Sequence, residues 1–139
     1  MSLARGLVIG LVGTAALTAF EPLERRWLGH EPPYSLPALA AHRRGIPIAI
    51  AKPAMLLLRW TYGPTWGVLY TAATRGLAPR HPMREAIALA TAIASFELVV
   101  MPGVGLVRPL RTWSRRELAA LAAHTLAFGL AAALTRRAL

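Results

Sequence analysis

The stretch AIALATAIASFELVVMPGVGLV, residues 86–107, carries one ionisable side chain, Glu97, in its whole length. A helix that crosses a membrane needs about 20 predominantly apolar residues, and this run supplies them. Pro102 is placed to end that helix, because its ring blocks the preceding turn and its nitrogen donates no hydrogen bond. Three further segments follow the same pattern. Residues 6–20 hold no charge, Arg59 is the only charge in 53–74, and His124 is the only ionisable group in 118–134. None of the four shows the wide polar face that a helix of a water-soluble bundle turns to solvent. The pattern predicts helices over about 3–21, 53–75, 84–102 and 116–136. They form an all-α, up-down-up-down bundle of four transmembrane helices, one domain over 1–139. The first segment reads as a retained helix rather than a signal peptide, since Thr14-Ala15-Ala16 makes a poor cleavage site.

Composition agrees with that reading. The chain has 139 residues, of which 55% are hydrophobic and 16% charged, against about 25% charged in an average soluble domain. Without a cysteine it has no disulfide framework, no thiolate zinc site and no thiol nucleophile. A net charge of +10 raises the question of nucleic acid, and the distribution of the charge answers it. The basic residues come as Arg25 and Arg26, Arg43 and Arg44, Arg115 and Arg116, Arg136 and Arg137, between apolar runs. Membrane proteins keep interfacial charge in such places, whereas nucleic-acid binders gather it on one face with stacking aromatics between. No nucleic acid is expected; the partners expected are membrane lipids, other transmembrane subunits or a second copy of the chain. The first and third connections carry nine basic residues, and the termini and second connection carry six. Positive charge stays cytoplasmic, so both termini are expected on the far side of a bacterial inner membrane.

The longest connection, 21–52, opens on Glu21-Pro22 and contains Pro32, Pro33 and Pro37. Within it, Ser35 to Arg44 is expected as a short interfacial helix with Leu36 and Leu39 inward and Arg43 and Arg44 outward. Small residues recur every fourth position in the first helix, at Gly6, Gly10, Thr14 and Thr18, and again in the second, at Gly63, Gly67 and Thr71. Such stripes let two backbones approach closely, so the first two helices are expected to meet through them. Pro64 is expected to kink the second helix. Trp60, Tyr62, Trp66 and Tyr70 surround it and are candidates to line a pocket.

Three ionisable residues lie inside the predicted spans: Arg59, Glu97 and His124. Charge in hydrocarbon is expensive, about 2.5–3.5 kcal/mol for Arg or Asp on insertion scales, and such residues usually face the bundle interior. At about 1.5 Å of rise per residue all three fall in the same half of the membrane, so an intramembrane polar cluster is expected, with Glu97 within reach of Arg59 or His124. Signatures of catalysis are absent: there is no GxSxG, HExxH or phosphate loop, and no useful carboxylate pair. No metal site is expected. No cofactor is expected either, a pigment or haem on His124 alone being the nearest alternative.

With the helices placed, a resemblance emerges. Glu97 to Leu106, ELVVMPGVGL, followed by Pro109, Trp113, Glu117 and His124, resembles the C-terminal half of a group of bacterial inner-membrane proteins that includes YagU. Tyr62-Gly63, Gly67 and Leu69-Tyr70 are similar to its second helix. The chain departs from the group in carrying Arg108 where a proline is usual and in having no aspartate. The resemblance implies a four-helix inner-membrane protein and supplies no reaction. The expected function is therefore a non-enzymatic accessory or structural subunit of a membrane complex. The alternative is a small transporter or proton-handling protein built on Arg59, Glu97 and His124.

Overall fold

A computed structural model describes residues 3–35, 48–78 and 81–139, with the backbone alone at 48–52 and 55. Four α-helices make up the described fold, and no strand occurs among the described residues. We number them α1 (Leu3–Leu28), α2 (Ile48–Ala73), α3 (Pro82–Gly103) and α4 (Arg115–Ala138), with a short 3-10 turn at Leu110–Thr112 before α4. The interfacial helix expected from Ser35 to Arg44 lies, but for Ser35, outside the described residues.

The first two helices are longer than their apolar runs. α1 continues past Phe20 through Pro22 to Leu28, and α2 begins at Ile48, ahead of Pro53. Pro22 had every mark of a helix end, yet its ring lies on the exposed side of α1. There it withholds one hydrogen bond without intruding on a neighbour. The consequence is functional: Glu21 and Glu24, expected in a connection, become side chains of α1. α2 likewise runs unbroken through Pro64.

Three helices, α1, α3 and α4, are long and apolar enough to cross a membrane, not four. α2 falls short because Arg59, Trp60, Thr61, Tyr62, Pro64 and Thr65 dilute its aliphatic residues. Across the bundle the outer surface is apolar: Leu57 is 68% exposed and Val99 70%. The interior, by contrast, holds Glu24, Glu85, Glu97, Glu117, His124 and Arg136, all buried. Water as the surrounding solvent would reverse that arrangement; hydrocarbon favours it.

α1 packs on α2 and on α4, and α4 packs on α3. Neighbours run antiparallel, as the contacts of α1 with α2 show: Gly6 faces Val68 and Thr71, Gly10 faces Gly63 and Pro64, and Thr14 faces Gly63. A Cβ at Gly67 would overlap the backbone of Gly6 and Gly10, and one at Gly10 the backbone of Gly63 and Pro64. The hydroxyls in this contact turn inward on their own helices, Thr14 Oγ1 donating to Gly10 O at 2.8 Å and Thr71 Oγ1 to Gly67 O at 2.7 Å. Thr18, expected on the same stripe, is exposed. A four-residue spacing overshoots the 3.6-residue turn by about 40° each step, so by Thr18 the stripe has rotated away. Gly13, on the flank of the stripe, instead receives the Phe128 ring of α4. Gly129 does the same for α3, lying against the Ala86 backbone.

Two buried ion clusters fasten opposite ends. Ser114 and Glu117 form a reciprocal cap on α4, with Glu117 N donating to Ser114 Oγ at 3.2 Å and Ser114 N to Glu117 Oε2 at 2.6 Å. Arg108 binds the same Glu117, and Trp113 Nε1 donates to Arg108 O at 3.1 Å. At the other end Arg136 Nη1 donates to Glu85 at 2.8 Å, while Nη2 reaches Leu77 O at 2.8 Å and Thr74 O at 3.3 Å. Its guanidinium also lies 5.8 Å from the centre of the Tyr70 ring. One arginine thus satisfies carbonyls at the end of α2, where a cation is favoured, and joins α2, α3 and α4.

Candidate intramembrane chamber

α2 and α3 approach each other less closely than α1 and α2, α1 and α4 or α3 and α4 do, and side chains span the space between them. Tyr62, Trp66 and Phe96 bridge it, with ring centres 5.8–6.2 Å apart and Trp66 edge-on to both partners. Behind these rings lies a cavity of about 260 Å³. Thr14, Ile93 and Phe128 floor it toward the middle of the bundle, and Tyr34, Ser35 and Leu106 line it at the loop end. Its lining is mostly apolar, with the polar groups gathered in the half nearer the first and third connections.

All three residues expected to form the polar cluster, Arg59, Glu97 and His124, line this one chamber. They are not paired with one another. Arg59 binds Glu21, and His124 Nδ1 lies 2.8 Å from Glu24 Oε2. Tyr34 donates from its hydroxyl to Glu24 Oε1 at 2.7 Å, so both oxygens of Glu24 are occupied. The Tyr34 ring stacks tilted between His124 (5.1 Å) and Trp113 (6.0 Å). Burial, with the Glu24 carboxylate beside it, raises the Tyr34 pKa far above that of a free phenol and keeps its proton in place.

Glu97 stands apart. Its Oε1 accepts a hydrogen bond from the Tyr62 hydroxyl at 3.2 Å, and its Oε2 is buried with no partner. Each of the other five glutamates has a cationic nitrogen or an imidazole within 4.0 Å, Glu31 through Arg25 and the rest as described. Among the described residues Glu97 has none. Among the described residues the chamber therefore holds three carboxylates against one guanidinium and one imidazole, which leaves one carboxylate over. No family model, no curated protein and no solved structure matches this chain. What the chamber does has to be argued from its chemistry.

Of the aromatic residues around Pro64, Tyr62 and Trp66 line the chamber, Trp60 is 44% exposed, and Tyr70 donates to Glu85 in the opposite half of the bundle. Glu21, Glu24 and Tyr34 are the members that reading by apolar runs missed. A signal for two of them existed. The inward positions of α1 recur as Gly10, Thr14, Leu17, Glu21, Glu24 and Leu28, an alternation of four and three that passes straight through Pro22. No comparable signal marks Tyr34. Neither His124 nor any other residue belongs to a group of three or more side chains that could hold a metal ion, among those described.

Proposed function

We propose that the protein is a small membrane component that takes up and releases a proton or a cation at Glu97, inside a chamber held open by two neighbouring ion pairs. One observation carries this reading: the buried, unpaired Oε2 of Glu97. A carboxylate removed from water is stable only with a proton on it or a positive charge beside it. Glu24 and Glu21 have such partners among the described residues, and Glu97 has none there. The flanking pairs, Arg59 with Glu21 and His124 with Glu24, hold the chamber polar without neutralising that site. In this reading α2 crosses the membrane as a fourth span. Its 26 residues reach about 39 Å as a helix, and its glycines lie along α1. The setting we propose is the bacterial inner membrane, as the resemblance to the YagU group implies.

The test is proton movement in liposomes. Purified protein reconstituted with a trapped pH-sensitive dye is expected to acidify or alkalinise the lumen under an imposed potential, and Glu97→Gln to abolish the response. A parent protein no faster than empty liposomes would remove the reading.

A second reading, an accessory subunit that docks on other transmembrane helices, draws on the outer face of α2. Thr61 and Thr65 are exposed there, four residues apart, each hydroxyl bonded back to a carbonyl of its own helix. Small residues at that spacing suit a close helix neighbour. Gentle extraction and native electrophoresis test it: a larger complex that falls apart in Thr61→Leu/Thr65→Leu supports it.

A further inference from the structure

The chamber has a second property that a bare proton site does not need, namely its size and its wall. We propose that it binds a small lipophilic organic cation, which enters sideways from the bilayer between α2 and α3 and rests against the aromatic wall with Glu97 as its counter-ion. The inference builds on the reading of Glu97 as the exchanging group and names what it exchanges with the proton.

Four observations carry it. Charge comes first: among the described residues three carboxylates face one guanidinium and one imidazole, so at least one carboxylate there has no cationic partner. Second, Oε2 of Glu97, itself 8% exposed, has no hydrogen-bond partner and lines the cavity. Third, the wall beside Glu97 is made of Tyr62, Trp66 and Phe96. Aromatic faces attract cations, Trp most strongly, and tolerate their alkyl groups. A hard metal ion would want six or more oxygen ligands or its own water shell, which this mostly apolar lining does not offer. Fourth, the way in is lateral. Leu58, Trp66 and Phe96 line the cavity and are each partly exposed, along the seam that side chains span between α2 and α3. That side faces lipid, where a lipophilic cation concentrates and a hydrated ion does not.

The groups facing Glu97 decide how pH acts. α1 contributes Glu21 and Glu24, the loop after it Tyr34, α2 Arg59 and Tyr62, and α4 His124. Among the described residues Glu97 is the one carboxylate of the chamber without a cationic or imidazole partner. Proton and organic cation therefore compete for one carboxylate, and binding weakens as pH falls.

The probe is benzyltrimethylammonium, which has no proton to donate, and its neutral carbon isostere neopentylbenzene. Binding to the full chain in nanodiscs is followed by calorimetry in two buffers of different ionisation enthalpy, with tryptophan fluorescence in parallel. The cation is expected to bind at least about tenfold more tightly than the isostere, to weaken toward acid pH, and to release protons on binding. Glu97→Gln should reduce cation affinity at least about tenfold and remove its pH dependence. Trp66→Leu, which leaves the carboxylate in place, should weaken it by about fivefold. Equal binding of cation and isostere overturns the proposal, as does a Glu97→Gln protein, folded by circular dichroism, that keeps the parent's affinity and pH profile. If the pH profile persists in that variant and disappears in His124→Gln, the site is the Glu24–His124 pair and the assignment to Glu97 is wrong. Proton flux is measured without probe. Flux that depends on Glu97 in a protein that ignores the cation therefore defeats this inference alone and leaves the reading it builds on intact.

Discussion

Glu24 is held at both oxygens, by Tyr34 on one side and His124 on the other, and this small network shows what a satisfied carboxylate looks like in the same chamber as Glu97. Removing the Tyr34 hydroxyl leaves Glu24 Oε1 without its donor. A hydrogen bond to a charged group contributes about 1.5–3 kcal/mol, so Tyr34→Phe should be destabilised by roughly that amount in a detergent-unfolding titration followed by circular dichroism. The pH dependence has a definite sign. In the folded protein the phenol holds its proton far above the ordinary range, while in the unfolded chain it ionises near pH 10 or so. The folded state's advantage is thus complete below about pH 10 and shrinks as pH rises beyond it. Tyr34→Phe should show a shallower alkaline decline than the parent; an unchanged decline in the variant would assign it to other groups. At the opposite end, Arg136→Leu removes the guanidinium from the buried Glu85 carboxylate and leaves the Tyr70 hydroxyl on it, and breaking one partner of a buried pair costs about 3–5 kcal/mol. The double change Glu85→Leu/Arg136→Leu should recover much of that loss, measured by the same unfolding titration.

Helix by helix, the contact of α1 with α2 rests on backbone proximity that only glycine permits. Gly67→Ala places a Cβ against the backbone of Gly6 and Gly10, which cannot yield as a side-chain tip would. A loss of about 1–3 kcal/mol is expected, against a change within about 0.5 kcal/mol for Gly103→Ala, whose added Cβ meets nothing. Equal effects of the two would mean that α1 and α2 do not meet as described. These stripes were readable from spacing, and so were the central apolar stretches of α1, α3 and α4, because each follows from local periodicity. The chamber was only half readable. Arg59, Glu97 and His124 announced themselves as charges inside apolar runs, and depth placed them together. Glu21 and Glu24 did not, because Pro22 reads as a break although it lies inside α1. Tyr34 sits ten residues beyond Glu24 in the chain and reaches it only through tertiary folding. The shortfall of α2 has a related cause: Arg59, Tyr62 and Trp66, which line the chamber, are among the residues that lower its apolar character.

For the whole molecule the arrangement is apolar outside and ionic inside, with α1, α3 and α4 able to cross a membrane and α2 laid antiparallel on α1. Nine basic residues in the first and third connections, against six in the termini and the second connection, predict that those connections face the cytoplasm. A reporter fused after Leu139 should accordingly be active only in its extracytoplasmic form; activity of a cytoplasmic reporter there would invert the topology. The central claim concerns a single carboxyl group, since everything proposed for the chamber depends on Glu97 exchanging a proton or a cation within the bundle. Infrared difference spectroscopy on the protein in nanodiscs reads that group directly, because a protonated carboxyl has its own carbonyl stretch. The account predicts a carboxyl band that changes as pH is stepped, is absent in Glu97→Gln, and persists in Glu24→Gln. A pH-difference spectrum identical in the parent and in Glu97→Gln would contradict it.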